Sequence, residues 1–224
     1  MMKIGSLCKV AMVILAVAVV ATAGAQAASI ALVNANFEDP VAAKTNGDAT
    51  WSNIPGWTST GPSGDSGLEA FTAQPQPDLG VNIAFLQSGD GAIFQTTGHA
   101  IAAGESYEVS FYERNDWQAT ELTVTLYYDD GGTPTPFGSA AVDPLGSGGR
   151  SDPLVFHSLT FDAPAAGVGN LLGVQLENTS LGGGTGSWAW VDLVGLRVVP
   201  EPTSAVLVIL GGLVLGVYGG RRRR

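Results

Sequence analysis

The sequence predicts an all-β domain, an antiparallel β-sandwich, set between two export-related ends. Three observations predict it. Apolar residues recur with period two over most of residues 28–199, turn-forming Gly, Pro and Asp separate those runs, and no amphipathic helical period interrupts them. The 31 Gly and 12 Pro of the 224 residues supply many turns, while 45% hydrophobic residues supply a core. Residues 28–199 are enough for one domain, and no linker or internal repeat divides them.

The elements follow in order. Asn34-Ala35-Asn36-Phe37-Glu38 opens the domain and Ile54-Pro55-Gly56-Trp57 follows. Ile93-Phe94-Gln95-Thr96 leads to Ala103-Gly104-Glu105-Ser106-Tyr107 and a strand in which Tyr107, Val109 and Phe111 alternate with Glu108, Ser110 and Tyr112. Arg114-Asn115-Asp116-Trp117-Gln118 reads as a polar loop before the next strand. There Leu122, Val124, Leu126 and Tyr128 alternate with Thr123, Thr125 and Tyr127, and Asp129-Asp130-Gly131-Gly132 makes a turn because Gly tolerates positive φ. Val155, His157, Leu159 and Phe161 continue the alternation, then Leu172, Val174 and Leu176, and residues 188–199 close the domain.

Each end reads as an address. Lys3 and Lys9 precede an uncharged apolar stretch at 10–23, and Ala23-Gly24-Ala25 and Ala25-Gln26-Ala27 offer small-residue cleavage sites, so residues 1–27 are expected to be a secretory signal peptide. Cys8 lies before that stretch, where a lipid-attachment cysteine would lie after it. At the other end, Pro200, Glu201 and Pro202 precede an uncharged run at 203–220 and then Arg221, Arg222, Arg223 and Arg224. Eighteen helical residues span about 27 Å, enough to cross a hydrocarbon core. Terminal arginines stay on the cytoplasmic side and place the domain outside.

The tripeptide, apolar stretch and arginine cluster of residues 200–224 resemble the PEP-CTERM sorting signal of Gram-negative bacteria. The resemblance implies export across the inner membrane, transient anchoring through a C-terminal transmembrane helix, and processing by a partner, an exosortase-type membrane protease. It also implies a destination at the cell surface or in an exopolysaccharide matrix. The motif order within 28–199, ending in Trp190-Val191-Asp192-Leu193-Val194, resembles the galactose-binding-like jelly rolls shared by many carbohydrate-binding modules. In several such modules an acidic residue of the opening segment and an Asp of the closing strand hold a structural calcium. Glu38 and Asp192 match those positions, with solvent exposure or turn capping as the alternative role for each. Calcium takes about 6–8 oxygen ligands, and backbone carbonyls can complete such a set.

Five Trp, with Tyr112, Tyr127 and Tyr128, exceed what a domain of this size needs for packing, and sugar rings stack on aromatic planes. Trp117, in its polar loop, and Tyr127, on the polar phase of its strand, are the carbohydrate-ligand candidates; Trp57 and either Trp188 or Trp190 read as core. No G-x-S-x-G or H-E-x-x-H pattern occurs, His99 reads as a turn residue and His157 as core, so a non-enzymatic protein is expected. A glycan hydrolase with a hidden acidic pair, and a matrix or adhesion protein that uses calcium or self-association, are the alternatives. Asn178-Thr179-Ser180 matches a glycosylation sequon incidentally.

Charge narrows the partners further. The domain keeps Lys44, Arg114, Arg150 and Arg197 against nineteen acids, a net −15 that excludes a nucleic-acid binder and leaves a divalent cation as the natural counter-charge.

Overall fold

The computed structural model describes residues 27–39, 54–61, 66–70, 80–143, 153–180 and 186–199. All of these but Ala27 belong to one compact unit, Ala28–Val199. Its strands are β1 (Ala28–Ile30), β2 (Thr58–Ser59), β3 (Gly67–Ala70), β4 (Asn82–Gln87), β5 (Ile93–Ala100), β6 (Ser106–Trp117), β7 (Leu122–Asp130), β8 (Thr133–Val142), β9 (Val155–Asp162), β10 (Leu171–Asn178) and β11 (Trp188–Val199). Two sheets form, ordered β3-β4-β11-β6-β9 with β1 also on β11, and β2-β5-β10-β7-β8. All the strand pairings are antiparallel. From β5 onward the chain crosses between sheets at every step except the β7–β8 hairpin. The predicted antiparallel sandwich is therefore the observed fold. Among the described residues the one helical element is a 3-10 turn, Ala165–Gly167, and no helix is long and apolar enough to cross a membrane. The expected C-terminal transmembrane helix lies outside the described residues.

Alternation decides which side chains meet. Tyr107, Val109 and Phe111 of β6 and Leu122, Val124 and Leu126 of β7 all point between the sheets, where they join Leu172, Val174 and Leu176 of β10 in one buried core. Trp57 is core as expected, with its ring tilted against Phe37 at 5.1 Å. A second apolar cluster, Ile83, Phe85, Leu154 and Trp190, lies apart from that core. Trp190 and Phe85 pair across β11 and β4 on the phase opposite the inward-facing Val191 and Ala84, so this cluster covers the outer face of the six-stranded sheet.

Two elements differ from expectation. β6 runs on to Trp117, so the predicted polar loop is strand. Its backbone pairs with β11, Asn115 opposite Ala189 and Arg114 opposite Trp190, and ladder hydrogen bonds outweigh the local preference of polar residues for loops. β8, rich in Thr and Pro, carries no clean alternation; it forms because it is an edge, where Pro134 and Pro136 need not donate to a neighbour. His99, read as a turn residue, lies in β5.

Candidate functional site

β11 serves two partners on one side. Its first half, Trp188–Val191, pairs with β4, and Leu196–Val198 pairs with β1. Between them the register against β6 shifts from Asp192 to Gly195, and a fork opens. The segment after β1 fills it. Phe37 N–H donates to Asn34 O (3.1 Å), Val194 N–H donates to Ala35 O (2.9 Å), and Asn34 exchanges side-chain hydrogen bonds with the Asp39 backbone. Three of the four described non-glycine residues with positive φ, Asn34, Phe37 and Leu193, cluster here. Each costs backbone energy that the surrounding hydrogen bonds must offset.

That geometry brings Glu38 and Asp192 together from opposite ends of the domain. Glu38 Oε1 accepts the Val81 and Asn82 N–H groups at 2.9 and 3.0 Å. Gly80 makes room for this, since a Cβ there would lie 2.0 Å from Glu38 Oε1. Asp192 is fully buried; its Oδ1 accepts the Leu193 N–H at 2.7 Å, and its Oδ2 finds no donor among the described residues. Burial above all, with the charge of Glu38 adding to it and the Leu193 hydrogen bond opposing, moves the Asp192 carboxyl from 3.8 up to about 8. An orphaned, buried carboxylate oxygen beside a second carboxylate suits a hard divalent cation. Among the described residues no third His, Cys, Asp or Glu joins the pair, so further ligands would be backbone carbonyls or water. The two residues fit a calcium ion in chemistry.

The aromatic candidates separate. Trp117, at the end of β6, is 52% exposed. Its backbone is held on both sides: Asn115 Oδ1 accepts the Ala119 N–H at 2.9 Å, and Gln118, at φ +52, bridges to Trp188. A large ring held open on a fixed backbone is a ready stacking platform. Tyr127 does lie on the outer face of its sheet, but only 1% of it is exposed, which corrects its reading as an accessible platform. Its ring lies over Gly173, where a Cβ would sit 2.0 Å from Tyr127 Cζ, and its hydroxyl shares a 2.9 Å hydrogen bond with Thr96 Oγ1. Burial raises that hydroxyl's pKa. A packed glycine–tyrosine pair leaves no ring face for a sugar.

Other polar groups are structural. Glu105 gathers the Tyr107 hydroxyl, the His99 ring and the Ala102 N–H. Burial pushes the Glu105 carboxyl up, but these hydrogen bonds outweigh it and hold the carboxyl below its ordinary range. His157, on the inward phase, stacks on Phe111 and meets Glu113 at 2.8 Å. Asn178 is buried with its amide donating to Leu86 O and Ser187 O, so the sequon is closed to modification in the folded protein. Sequence reasoning missed Arg114, whose guanidinium lies 3.9 Å above the Trp190 ring inside the buried outer-face cluster. The signal was the cation's even spacing from Tyr112 on β6, hidden by the loop reading. Pro200, Glu201, Pro202, Arg221, Arg222, Arg223, Arg224 and Trp51 lie outside the described residues.

No protein-family model and no curated protein matches the chain. Solved structures do. A Stig cyclase, Fisc, from Fischerella sp. TAU in complex with an indole compound is 20% identical, with TM-score 0.59, covering 79% of this chain and 100% of that one. The apo form of a cyclase from Fischerella sp. is 21% identical, with TM-score 0.60, covering 80% and 99%. The fold is shared with cyclases. That finding corrects the expectation of a non-enzymatic protein: the absence of G-x-S-x-G and H-E-x-x-H patterns does not exclude catalysis on a fold that enzymes share. Neighbours at lower similarity include carbohydrate-binding modules, among them CBM4 at 17% identity and TM-score 0.46, covering 76% of this chain and 100% of that one.

Proposed function

We propose that this chain is an exported, PEP-CTERM-sorted surface or matrix protein whose sandwich binds carbohydrate through Trp117 and is clamped by calcium between Glu38 and Asp192. The observation that carries the binding reading is the Trp117 ring, half open on a backbone fixed by Asn115 and by the bridge to Trp188. Burying such a ring against the apolar face of a sugar is favourable, and a preformed site loses little entropy on binding. The orphaned Asp192 oxygen supports the calcium clamp, and the residues of both chain ends support the sorting route.

Glycan-array binding tests the first part: binding by the parent, its loss in Trp117→Ala and partial retention in Trp117→Phe are expected. A parent protein that binds no glycan, or a Trp117→Ala variant that binds as the parent does, refutes it. Mass spectrometry of the protein from native cells tests the sorting route. Mature termini after Ala27 and near Pro200 are expected, and an intact arginine tail on the mature protein overturns it.

A further inference from the structure

A sandwich has four sheet edges, and an edge strand is a template for another strand unless something blunts it. Here β1, paired only to β11, adds a fifth edge, and four of the five are blunted. β2 has two residues, β1 three and β3 four, while β8 carries Pro134 and Pro136 and a register shift between Leu126 and Tyr127 of its partner β7. The remaining edge is β9, and no such feature blunts it among the described residues. It pairs with β6 over eight consecutive residues, Ser106 opposite Asp162 through Glu113 opposite Val155, with no shift. Its sequence, Val155-Phe156-His157-Ser158-Leu159-Thr160-Phe161-Asp162, contains no Pro, Gly, Lys or Arg and is rich in β-branched and aromatic residues. On its far side β9 pairs with no strand among the described residues. Every second residue of such a strand directs its N–H and C=O outward, away from β6.

We infer that β9 is a homodimerisation edge, pairing antiparallel with β9 of a second copy so that the two six-stranded sheets join into one. The occupant is chosen by charge and by side-chain pairing. A domain of net −15 repels its own copies over most of its surface, but β9 carries a single acid, Asp162, at its very end. A two-fold axis through Ser158 sets each Phe156 opposite the partner's Thr160 on the outer face. On the inner face it sets Val155 opposite the partner's Phe161 and His157 opposite the partner's Leu159. Phe156 with Thr160 and Val155 with Phe161 are aromatic–β-branched pairs of the kind that stabilises a sheet, and no like charges are opposed. Phe156 fits this role. It is 54% exposed, and its ring leans on Tyr112 of β6 at 5.3 Å, so the β6 side is covered and the edge side is open. Each copy has one such edge among its described residues, so the pairing is isologous and closes at two.

Cross-linking of the full chain, in detergent extract and with Cys8→Ser as background, tests the register. In an antiparallel pair, facing Cα atoms lie about 4.5–5.5 Å apart, within disulfide reach. Ser158→Cys is expected to give a dimer on mild oxidation that reduction reverses, while Thr160→Cys, whose two copies would lie about 13 Å apart along the strands, gives none. Should Ser158→Cys lower the melting temperature, mixed Phe156→Cys and Thr160→Cys chains test the same register and are expected to cross-link with each other. Failure to cross-link in chains that melt like the parent, or equal cross-linking at Ser158→Cys and Thr160→Cys, overturns the inference.

Discussion

Asp192 makes the stability of the metal-free protein fall as pH rises, and calcium should reverse that fall. In the unfolded chain its carboxyl titrates near 3.8; in the folded, metal-free domain burial and Glu38 move it to about 8. Between these values the folded state holds a proton that the unfolded state has released, so the folded state binds more protons and stability declines with rising pH. The stability this group allows is complete below about pH 4 and lost by about pH 8. At about 1.36 kcal/mol per tenfold change, the ceiling is nearly 6 kcal/mol. Water admitted to a loosened fork relieves part of the charge, so about half that ceiling is expected. For a domain of this size, 1 kcal/mol moves Tm by about 2–4 °C, which gives a fall of roughly 6–12 °C. The assay is thermal melting from pH 4 to 8 in chelator and in calcium, for the parent and Asp192→Asn. The amide carries no charge, so the variant should melt above the parent at pH 8 in chelator and gain nothing from calcium. A parent melt unaffected by chelator at pH 8, or an Asp192→Asn protein that calcium still stabilises, would refute the reasoning.

Other perturbations test the packing around the candidate residues. Gly80→Ala drives a Cβ into Glu38 Oε1 at a position with φ +69, so it should weaken the calcium-dependent rise in Tm, measured by titrating calcium during melting. Gly173→Ala collides with the Tyr127 ring and should cost about 1–3 kcal/mol in urea unfolding; in the double variant with Tyr127→Ala the penalty of the glycine change should largely vanish. Asn178→Ala leaves the Leu86 and Ser187 carbonyls without their buried donor and should cost about 1–3 kcal/mol by the same assay. Trp117→Ala, by contrast, should change stability by less than about 0.5 kcal/mol, which separates loss of binding from loss of fold.

Strand content and facing were legible because they depend on neighbours two residues apart. Tyr107, Val109 and Phe111 announce their inward face in the sequence, and so do Leu122, Val124 and Leu126. The end of β6 was not legible. Arg114, Asn115 and Asp116 resemble loop residues until β11 supplies their ladder partners, and that pairing joins positions more than seventy residues apart. Tyr127 shows the same limit at the level of exposure. Its polar-phase position is local, whereas its burial depends on Gly173 of a different strand leaving space for the ring.

By itself, then, the sequence determined an acidic antiparallel sandwich with export-like ends, since period, turn chemistry and charge are properties of adjacent residues. The tertiary structure decided which groups act together. It brought Glu38 to Asp192 by splitting one strand's edge between β4 and β1, left one Asp192 oxygen without a donor among the described residues, held Trp117 open and closed Tyr127. The physical reason is that burial and electrostatic shift depend on distances through space. A chain fixes those only when strands distant in sequence choose their partners.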